Sequence, residues 1–528
     1  MSHVMLICRV AVVSLLACAP FVARAQQEPA PAAHPQVAPS AQSAPRREDG
    51  QEARRESERG ARGERRESER GRPADSQTKQ TLALPDRTLS FAATAGSVRL
   101  RDESGEAQAD IGYVYYRLDA ADAKTRPLVF LFNGGPGAGS AWLHLGAAGP
   151  WRVAMAGPSG EAASPSDAPT LLPNAETWLD FADLVFIDPV GTGWSRFAGK
   201  DERVRKSFYS VDGDARSIAR AIRLIVRKHE RIASPKFIVG ESYGGIRGPK
   251  VAHELATREG VGVRGLALVS PLFDMRDFGG SSLLQYAYSL PSMAAVARAA
   301  KGQVTRADLA DVESYASGAM LADLFAGQAD VAATGRLSAR VAQATGLDPV
   351  ETRRLGGRVS TMEFRRAFDR ARGLVTGRYD GSTRGFDPFP DSALFRFPDP
   401  SSEPLIAPLT SAITQLATQR LGWKPEGLYR LLSEGVSREW DWGRSVNPPE
   451  SLTQLREVLA LDRRFKLLVM HGLFDLATPY FASQAHLAQL PDFGRARVRF
   501  VVHPGGHMFY SRDDARAALR ADMEALTK

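Results

Sequence analysis

Short, nearly unbroken apolar runs alternate with helical patterns in two separate parts of this chain. The runs lie at residues 127–132, 183–187, 236–239, 266–269, 466–470 and 497–502. Runs of this length are typical of strands buried on both faces, as in parallel sheets covered by helices. The pattern therefore predicts an α/β fold, and β-like runs at residues 88–91, 97–100 and 111–118 predict a β-meander leading into it.

The alternation stops between residues 275 and 451. This stretch has helical patterns at residues 305–316 and 361–371 and a loop rich in Pro, Gly and aromatic residues at 379–400. We expect a helical cap inserted between two parts of one core, residues 82–274 and 452–528. Open α/β sheets bind ligands beyond the carboxyl ends of their strands, so the cap is expected over that edge.

The amino terminus has the features of an export signal. Arg9 precedes an apolar run at residues 10–22, and Ala23 and Ala25 are small residues suited to a cleavage site. Residues 1–25 are therefore predicted to be a signal peptide, which implies a periplasmic or secreted protein. No later stretch approaches about 18 unbroken apolar residues, so no membrane span is expected.

The two cysteines, Cys8 and Cys18, both lie inside this signal. Cleavage after Ala25 would leave a mature chain without cysteine and without a disulfide. An alternative remains open, because residues 15–18 resemble the lipoprotein box of bacteria and Cys18 could be lipidated.

Residues 26–81 differ in composition from the rest of the chain. They are rich in Ala, Pro and Gln and then in Arg and Glu, and the segment RRESERG occurs twice, at 54–60 and 65–71. Such a composition cannot bury enough apolar surface to offset the entropy of ordering, so we expect a disordered linker. The net charge is +8, but basic and acidic residues are closely matched and no basic stripe carries interleaved aromatic residues, so nucleic-acid binding is not expected.

Residues 240–244 read Gly-Glu-Ser-Tyr-Gly and lie between an apolar run and a helical pattern at 246–257. A Gly-x-Ser-x-Gly segment between a strand and a helix is a nucleophile elbow, in which the glycines permit a sharp turn that exposes the serine. The five-residue motif occurs by chance, but this position favours Ser242 as a nucleophile.

An acid and a histidine follow Ser242 in the chain order that α/β-hydrolases use. Asp475 comes shortly after the run 466–470, and His507 lies in a glycine-rich loop after the run 497–502. His503 is the alternative base, but it follows its strand directly, as a packed residue does, whereas the glycines give His507 reach. The sequence predicts an α/β-hydrolase fold with Ser242, Asp475 and His507 as the catalytic residues.

The segment Asn133 to Gly137 is a glycine-rich loop directly after an apolar run. In this position such a loop supplies a backbone N–H group that stabilises a tetrahedral intermediate. A phosphate-binding loop is the competing interpretation, but the segment lacks the Gly-Lys-Ser/Thr ending and the Gly-x-Gly-x-x-Gly spacing.

Four segments, in this order, resemble the signatures of the serine carboxypeptidase family, peptidase family S10. They are residues 133–137, 189–195, 240–245 and 506–508. The resemblance extends over roughly residues 85–528 and, together with the export signal, suggests an exported bacterial member. It implies a peptidase that removes the last residue of a peptide through an acyl-enzyme, without metal or cofactor.

The resemblance also implies roles for single positions. The backbone N–H groups of Gly135 and Tyr243 would form the oxyanion hole, and Asn133 and Glu241 would bind the free α-carboxylate of the peptide. Glu241 can donate to a carboxylate only when it is protonated, so such an enzyme should prefer acid pH.

Two departures from the family pattern affect these expectations. Ala147 stands where family members commonly carry the glutamate that shares a proton with the residue at position 241, and Ser270-Pro271 replaces the usual Gly-Asn. An esterase, an acyltransferase or another peptidase on the same scaffold therefore stays an alternative, as does a non-catalytic envelope-binding protein. Trp440 and Trp442 are expected either to pack within the cap or to line a substrate pocket.

Overall fold

The computed structural model describes residues 73–155, 164–166, 168–278, 281–392, 397–443 and 447–528. The predicted signal peptide, Cys18 and most of the predicted linker lie outside these residues. The expected linker end at residue 81 is wrong, because Ser76–Ala83 is a strand paired antiparallel with Thr88–Arg101. This strand buries little apolar surface, which is why its composition misled the prediction. Its stability comes from backbone pairing and from hydrogen bonds that Ser76 and Gln80 donate to the carbonyls of residues 421 and 420.

Ten of the strands in the described residues form one sheet. The strands are β1 Ser76–Ala83, β2 Thr88–Arg101, β3 Ala107–Leu118, β4 Leu128–Phe132, β5 Trp151–Arg152, β6 Leu172–Pro173, β7 Asp183–Ile187, β8 Arg196–Phe197, β9 Lys236–Glu241, β10 Gly265–Val269, β11 Leu374–Thr376, β12 Arg384–Phe386, β13 Lys466–Gly472 and β14 Val498–His503. The order in the sheet is β1-β2-β3-β7-β4-β9-β10-β13-β14, with β8 paired to β3. Pairing is antiparallel from β1 to β7 and parallel from β7 to β14, which confirms the meander followed by a parallel sheet.

Helices connect the strands. The α-helices are α1 Ala141–Leu143, α2 Glu202–Phe208, α3 Val211–Lys228, α4 Gly244–Thr257, α5 Leu284–Ala299, α6 Ala310–Ser317, α7 Ala319–Ala326, α8 Val331–Thr345, α9 Pro349–Arg354, α10 Thr361–Ala367, α11 Ile406–Gln415, α12 Glu434–Glu439, α13 Leu452–Leu461, α14 Tyr480–Ala488, α15 Asp492–Arg495 and α16 Asp513–Thr527. Short 3₁₀ turns lie at Trp178–Asp180, Met275–Phe278, Arg306–Leu309, Arg370–Arg372, Glu403–Leu405 and Phe509–Ser511, and π turns at His144–Ala148 and Leu416–Arg420. Among the helices described, none is both long and apolar enough to cross a bilayer.

The central strands are buried on both faces. In β4, Val129 and Leu131 belong to one hydrophobic cluster, and Phe130 and Phe132 belong to the cluster on the opposite face. This alternation explains why the sequence shows an unbroken apolar run there instead of an apolar and polar alternation. Helix α3 covers one face and is capped by Ser210, whose hydroxyl accepts from the Gly213 N–H at 3.2 Å. Asp212 lies in the first turn of this helix.

Helices α5 to α12 and the hairpin β11–β12 lie between β10 and β13, where the sequence predicts a cap. Apolar side chains of these helices, among them Leu290 and Met293, form a cluster with Leu473, Phe474 and Tyr480 from the segment after β13. The insertion therefore packs directly on the loop that carries Asp475.

Candidate active site

Ser242 occupies a sharp turn between β9 and α4. Its φ is 60°, in the left-handed region that is uncommon for residues other than glycine. Its N–H donates to the carbonyl of Val269 in β10 at 2.9 Å. Glu241 and Tyr243 are buried on either side, whereas Ser242 is partly exposed. The strained backbone thus presents the serine at the carboxyl end of the sheet, as the sequence motif predicts.

Asp475 and His507 are brought together by the ends of neighbouring strands. The His507 Nδ1–H donates to Asp475 Oδ2 at 2.8 Å, and both side chains are buried. The other carboxylate oxygen accepts backbone N–H groups from Ala477 at 2.8 Å and Thr478 at 3.0 Å. Burial by itself lowers the pKa of His507, but the charge and hydrogen bond of Asp475 outweigh it, and the net direction is upward.

The Nε2 atom of His507 is buried and has no hydrogen-bond partner among the described residues. Because Nδ1 is held by Asp475, Nε2 is the nitrogen that can accept a proton. No hydrogen bond joins it to Ser242 Oγ within the described structure. A nucleophile and its base are often too far apart in a structure without substrate and approach only in the complex.

Two residues that the sequence did not point to hold this pair in place. Thr478 Oγ1 lies 2.8 Å from Asp475 Oδ2, 3.0 Å from His507 Nδ1 and 2.9 Å from the carbonyl O of Ser270. The hydroxyl of Ser270 donates to the backbone carbonyl of His507 at 2.8 Å. In the sequence, Ser270 stood out only because Ser270-Pro271 departs from the family pattern. The structure shows that this serine orients the His507 loop.

The glycine-rich loop lies against the nucleophile elbow. A Cβ at Gly134 would be 2.5 Å from both the carbonyl O of Glu241 and the backbone N of Tyr243, so only glycine fits. The N–H groups of Gly135 and Tyr243, the two expected oxyanion donors, make no hydrogen bond to any described residue. They are therefore available to a ligand oxygen.

The end of the insertion supports this loop from the other side. Ser437 Oγ donates to the carbonyl of Pro136 at 2.7 Å, and the Ser433 N–H donates to the carbonyl of Gly137 at 2.8 Å. Asp188, at the end of β7, accepts the N–H and the hydroxyl of Ser140, both at 2.8 Å. The position of the loop thus depends on residues far apart in the sequence.

A buried ion pair lies beneath the elbow. Arg247 in α4 donates from Nε to Asp214 in α3 at 2.6 Å, and both side chains are almost fully buried. Arg247 Nη1 donates to the carbonyl O of Asn133, and the guanidinium lies 5.1 Å from the ring centre of Tyr243. Arg247 therefore fixes the start of the glycine-rich loop relative to Tyr243.

We expect Asp214→Ala to destabilise the protein by about 3–5 kcal/mol, because it leaves the Arg247 charge buried without its partner. Urea denaturation measures this difference. The double variant Asp214→Leu/Arg247→Met is the control, because removing both charges should cost much less. A single variant within about 1 kcal/mol of wild type would contradict the importance of this pair.

Glu241 and Asn133 are side by side, as the resemblance implies. Burial raises the pKa of Glu241 to about 7, against the opposing effects of His507, Tyr510 and Asn133. The Oδ1 atom of Asn133 accepts the Leu143 N–H at 3.2 Å, which leaves its amide N–H groups for other acceptors. A protonated Glu241 and the Asn133 amide together form a pair of donors suited to a carboxylate.

Tyr510 is the partner of Glu241 that sequence reasoning missed. Its hydroxyl donates to Glu241 Oε2 at 2.8 Å, and both side chains are buried. Ala147, in the position of the absent glutamate, is also buried. The one available signal was the proximity of Tyr510 to His507, three positions earlier.

The alternative base, His503, has a different partner. His503 Nε2 lies 3.0 Å from Asp522, away from Asp475, which agrees with the preference for His507.

The rings of Trp440 and Trp442 pack edge-on against Tyr243, at 5.5 and 5.8 Å between centroids. The two tryptophans therefore contact the nucleophile elbow. No cluster of three or more metal-binding side chains occurs in the described ranges.

The class of this protein follows from the sheet order and the site. A strained serine between β9 and α4, an Asp–His pair after β13 and β14, and a glycine loop after β4 define the α/β-hydrolase fold. The crystal structure of KEX1(Δ)P, a prohormone-processing carboxypeptidase of Saccharomyces cerevisiae, superposes on this chain with a TM-score of 0.52. The alignment covers 84% of this chain and 92% of that one at 15% identity, and thus supports the fold alone.

Sequence comparison shows which family part of this chain resembles. Residues 85–293 match the family model of peptidase S10, serine carboxypeptidase. Serine carboxypeptidase-like 29 of Arabidopsis thaliana is 28% identical over 216 residues, which are 38% of this chain and 40% of the relative. The pheromone-processing carboxypeptidase KEX1 of S. cerevisiae is 34% identical over 125 residues, 22% of this chain and 16% of the relative. These matches show similarity to the serine carboxypeptidase family, and the chain spans less than half the length of these relatives.

Proposed function

We propose that this protein is a serine-type carboxypeptidase that hydrolyses the last peptide bond of its substrate through an acyl-enzyme. The observation that carries the proposal is Glu241, a buried acid with a pKa of about 7 next to Ser242 in the chain. Ester hydrolysis does not need such a group. A buried neutral acid suits the recognition of a free carboxylate, because it donates a hydrogen bond where an ionised acid would repel.

The first half of the reaction forms the acyl-enzyme. Ser242 Oγ attacks the carbonyl carbon of the last peptide bond while its proton passes to His507 Nε2. The N–H groups of Gly135 and Tyr243 donate to the oxygen that becomes negative. Collapse of the intermediate breaks the C–N bond, and His507 returns the proton to the departing amine.

The second half releases the peptide. Water enters where the amino acid left, gives its proton to His507 Nε2 and attacks the acyl carbon, and the proton then returns to Ser242 Oγ. Throughout, Asp475 keeps the proton of the imidazole on Nδ1 and stabilises the imidazolium when it forms. No group other than these side chains and water is needed.

A fluorophosphonate probe should label the wild-type protein and fail to label Ser242→Ala, because the serine hydroxyl is the attacking group. Mass spectrometry of the labelled peptide locates the modified residue. Ser104→Ala, at an exposed serine in the turn between β2 and β3, serves as a control serine outside the site. Equal labelling of wild type and Ser242→Ala would overturn the catalytic role of Ser242.

Carboxypeptidase activity is tested with N-blocked dipeptides and their C-terminally amidated versions. We expect release of the last residue only from the free acids, since the amides lack the carboxylate that Glu241 and Asn133 would bind. Equal cleavage of both forms, or hydrolysis of simple esters alone, would favour the esterase alternative.

We also propose that the protein is exported, on the support of the predicted signal at residues 1–25. Mass spectrometry of the mature amino terminus tests this. A terminus at residue 26 supports cleavage after Ala25, and a diacylglyceryl group on Cys18 would show the lipoprotein alternative instead.

A further inference from the structure

A short segment of the insertion reaches the catalytic residues. The backbone of residues 378–381 lies between the loops that carry Asp475 and His507. Two hydrogen bonds, at 2.8 and 3.1 Å, join it to the Asp475 loop, and the His507 N–H donates to the carbonyl of Tyr379 at 2.5 Å. A Cβ at Gly506 would be 2.2 Å from that carbonyl, so the contact requires glycine. The segment is a fixed part of the site.

The side chain of Tyr379 lies against the catalytic imidazole. Its ring centre is 5.1 Å from that of His507, with the planes inclined at 63°. Burial raises the pKa of Tyr379; the charge of Arg378 opposes this rise, and the carboxylates of Asp399, Asp475 and Glu241 add to it. The phenol is thus a protonated donor close to these acids, and its oxygen has no hydrogen-bond partner among the described residues.

Arg378 adds a positive charge next to this ring. Its guanidinium carbon lies 5.7 Å from the ring centre of Tyr379, and the side chain is exposed. It makes no ion pair and donates no side-chain hydrogen bond within the described part of the chain. Its charge is close enough to oppose the rise in the pKa of His507. One aromatic ring therefore separates an unpaired arginine from the catalytic base.

We propose that Arg378 and Tyr379 form a binding site for a carboxylate group of the peptide substrate. A guanidinium binds a carboxylate through two parallel hydrogen bonds, and the phenol supplies a third donor. The carboxylate is either the terminal one or that of an acidic side chain near the scissile bond. That the ligand is a peptide rests on the proposed function. The Arg378 guanidinium adds a group for carboxylate recognition that is charged at every pH of interest.

The kinetic test compares wild type with Arg378→Ala and Tyr379→Phe on matched N-blocked dipeptides that end in Glu or Gln. If the site binds an acidic side chain, Arg378→Ala should lose roughly 10- to 100-fold in kcat/KM for Glu and little for Gln. If it binds the terminal carboxylate, both substrates should lose that factor. Arg372→Ala removes an exposed arginine from the same insertion and is the matched control. Arg378→Ala kinetics equal to those of Arg372→Ala on both substrates would overturn the proposal.

A second measurement does not require peptide hydrolysis. N-acetylglutamate and N-acetylleucine should slow fluorophosphonate labelling of Ser242 more than their uncharged amides do. Arg378→Ala should lose this protection, and Arg378→Lys should keep part of it, because the charge remains without the planar fork. If wild type releases no amino acid but shows this protection, the proposed function fails and the carboxylate site stands. Equal protection by acids and amides would overturn the site itself.

Discussion

Asp475→Asn is expected to lower kcat by about 10⁴-fold while the protein stays folded. The buried carboxylate accepts the His507 Nδ1–H at 2.8 Å and two backbone N–H groups. An asparagine of the same shape can turn its NH₂ group toward Nδ1, which then becomes the acceptor. The proton moves to Nε2, and His507 can no longer accept the proton of Ser242.

Steady-state kinetics on an N-blocked dipeptide measure this loss, and circular dichroism confirms the fold. The chain offers a matched control in Asp522→Asn, which alters another buried Asp–His pair, at 3.0 Å from His503. We expect Asp522→Asn to retain kcat within about twofold, since His503 takes no part in the reaction. An Asp475→Asn enzyme with more than a tenth of wild-type kcat would contradict the proposed triad.

The second large effect is expected in the pH profile of kcat/KM. Glu241 must be protonated to donate to the substrate carboxylate, and its pKa is about 7. Above that pH two negative charges face each other, so kcat/KM should fall about tenfold for each pH unit. Toward acid pH, His507 becomes protonated and cannot act as base, and its raised pKa brings this loss closer to neutral.

A free-acid substrate should therefore give a bell-shaped profile, and an ester without a carboxylate should keep only the acid limb. His507 lowers the pKa of Glu241, and Glu241 raises the pKa of His507. The two limbs of the profile therefore report the pair and not each residue alone. Identical alkaline limbs for both substrates would contradict the role of Glu241.

Substitutions at and next to Glu241 test in which direction the alkaline limb of the kcat/KM profile moves. The Tyr510 hydroxyl stabilises the ionised carboxylate and lowers its pKa. Tyr510→Phe should raise that pKa and shift the alkaline limb to higher pH. Glu241→Gln, which is neutral at every pH, should remove the limb. An alkaline limb that stays in place in Tyr510→Phe would show that Tyr510 does not tune this acid.

The sequence alone determined the sheet and the order of the site residues. Parallel strands buried on both faces appear as unbroken apolar runs, so each core strand from β4 to β14 in the parallel part was predictable within a few residues. The elbow was predictable because a serine between two glycines, after a strand and before a helix, has few other uses. The start of the fold at residue 76 was not predictable, because an edge strand of polar residues has the composition of a linker.

Only the tertiary structure decided how the site is supported. Ser270, Thr478 and Tyr510 act through hydrogen bonds to residues far along the chain, and no local pattern shows which partners they meet. The same holds for residues 378–381, which reach His507 from the insertion. Local propensity and periodicity fix which elements form. Which polar side chain meets which acid depends on packing between distant segments, and that packing gives Glu241 its raised pKa in the absence of a second glutamate.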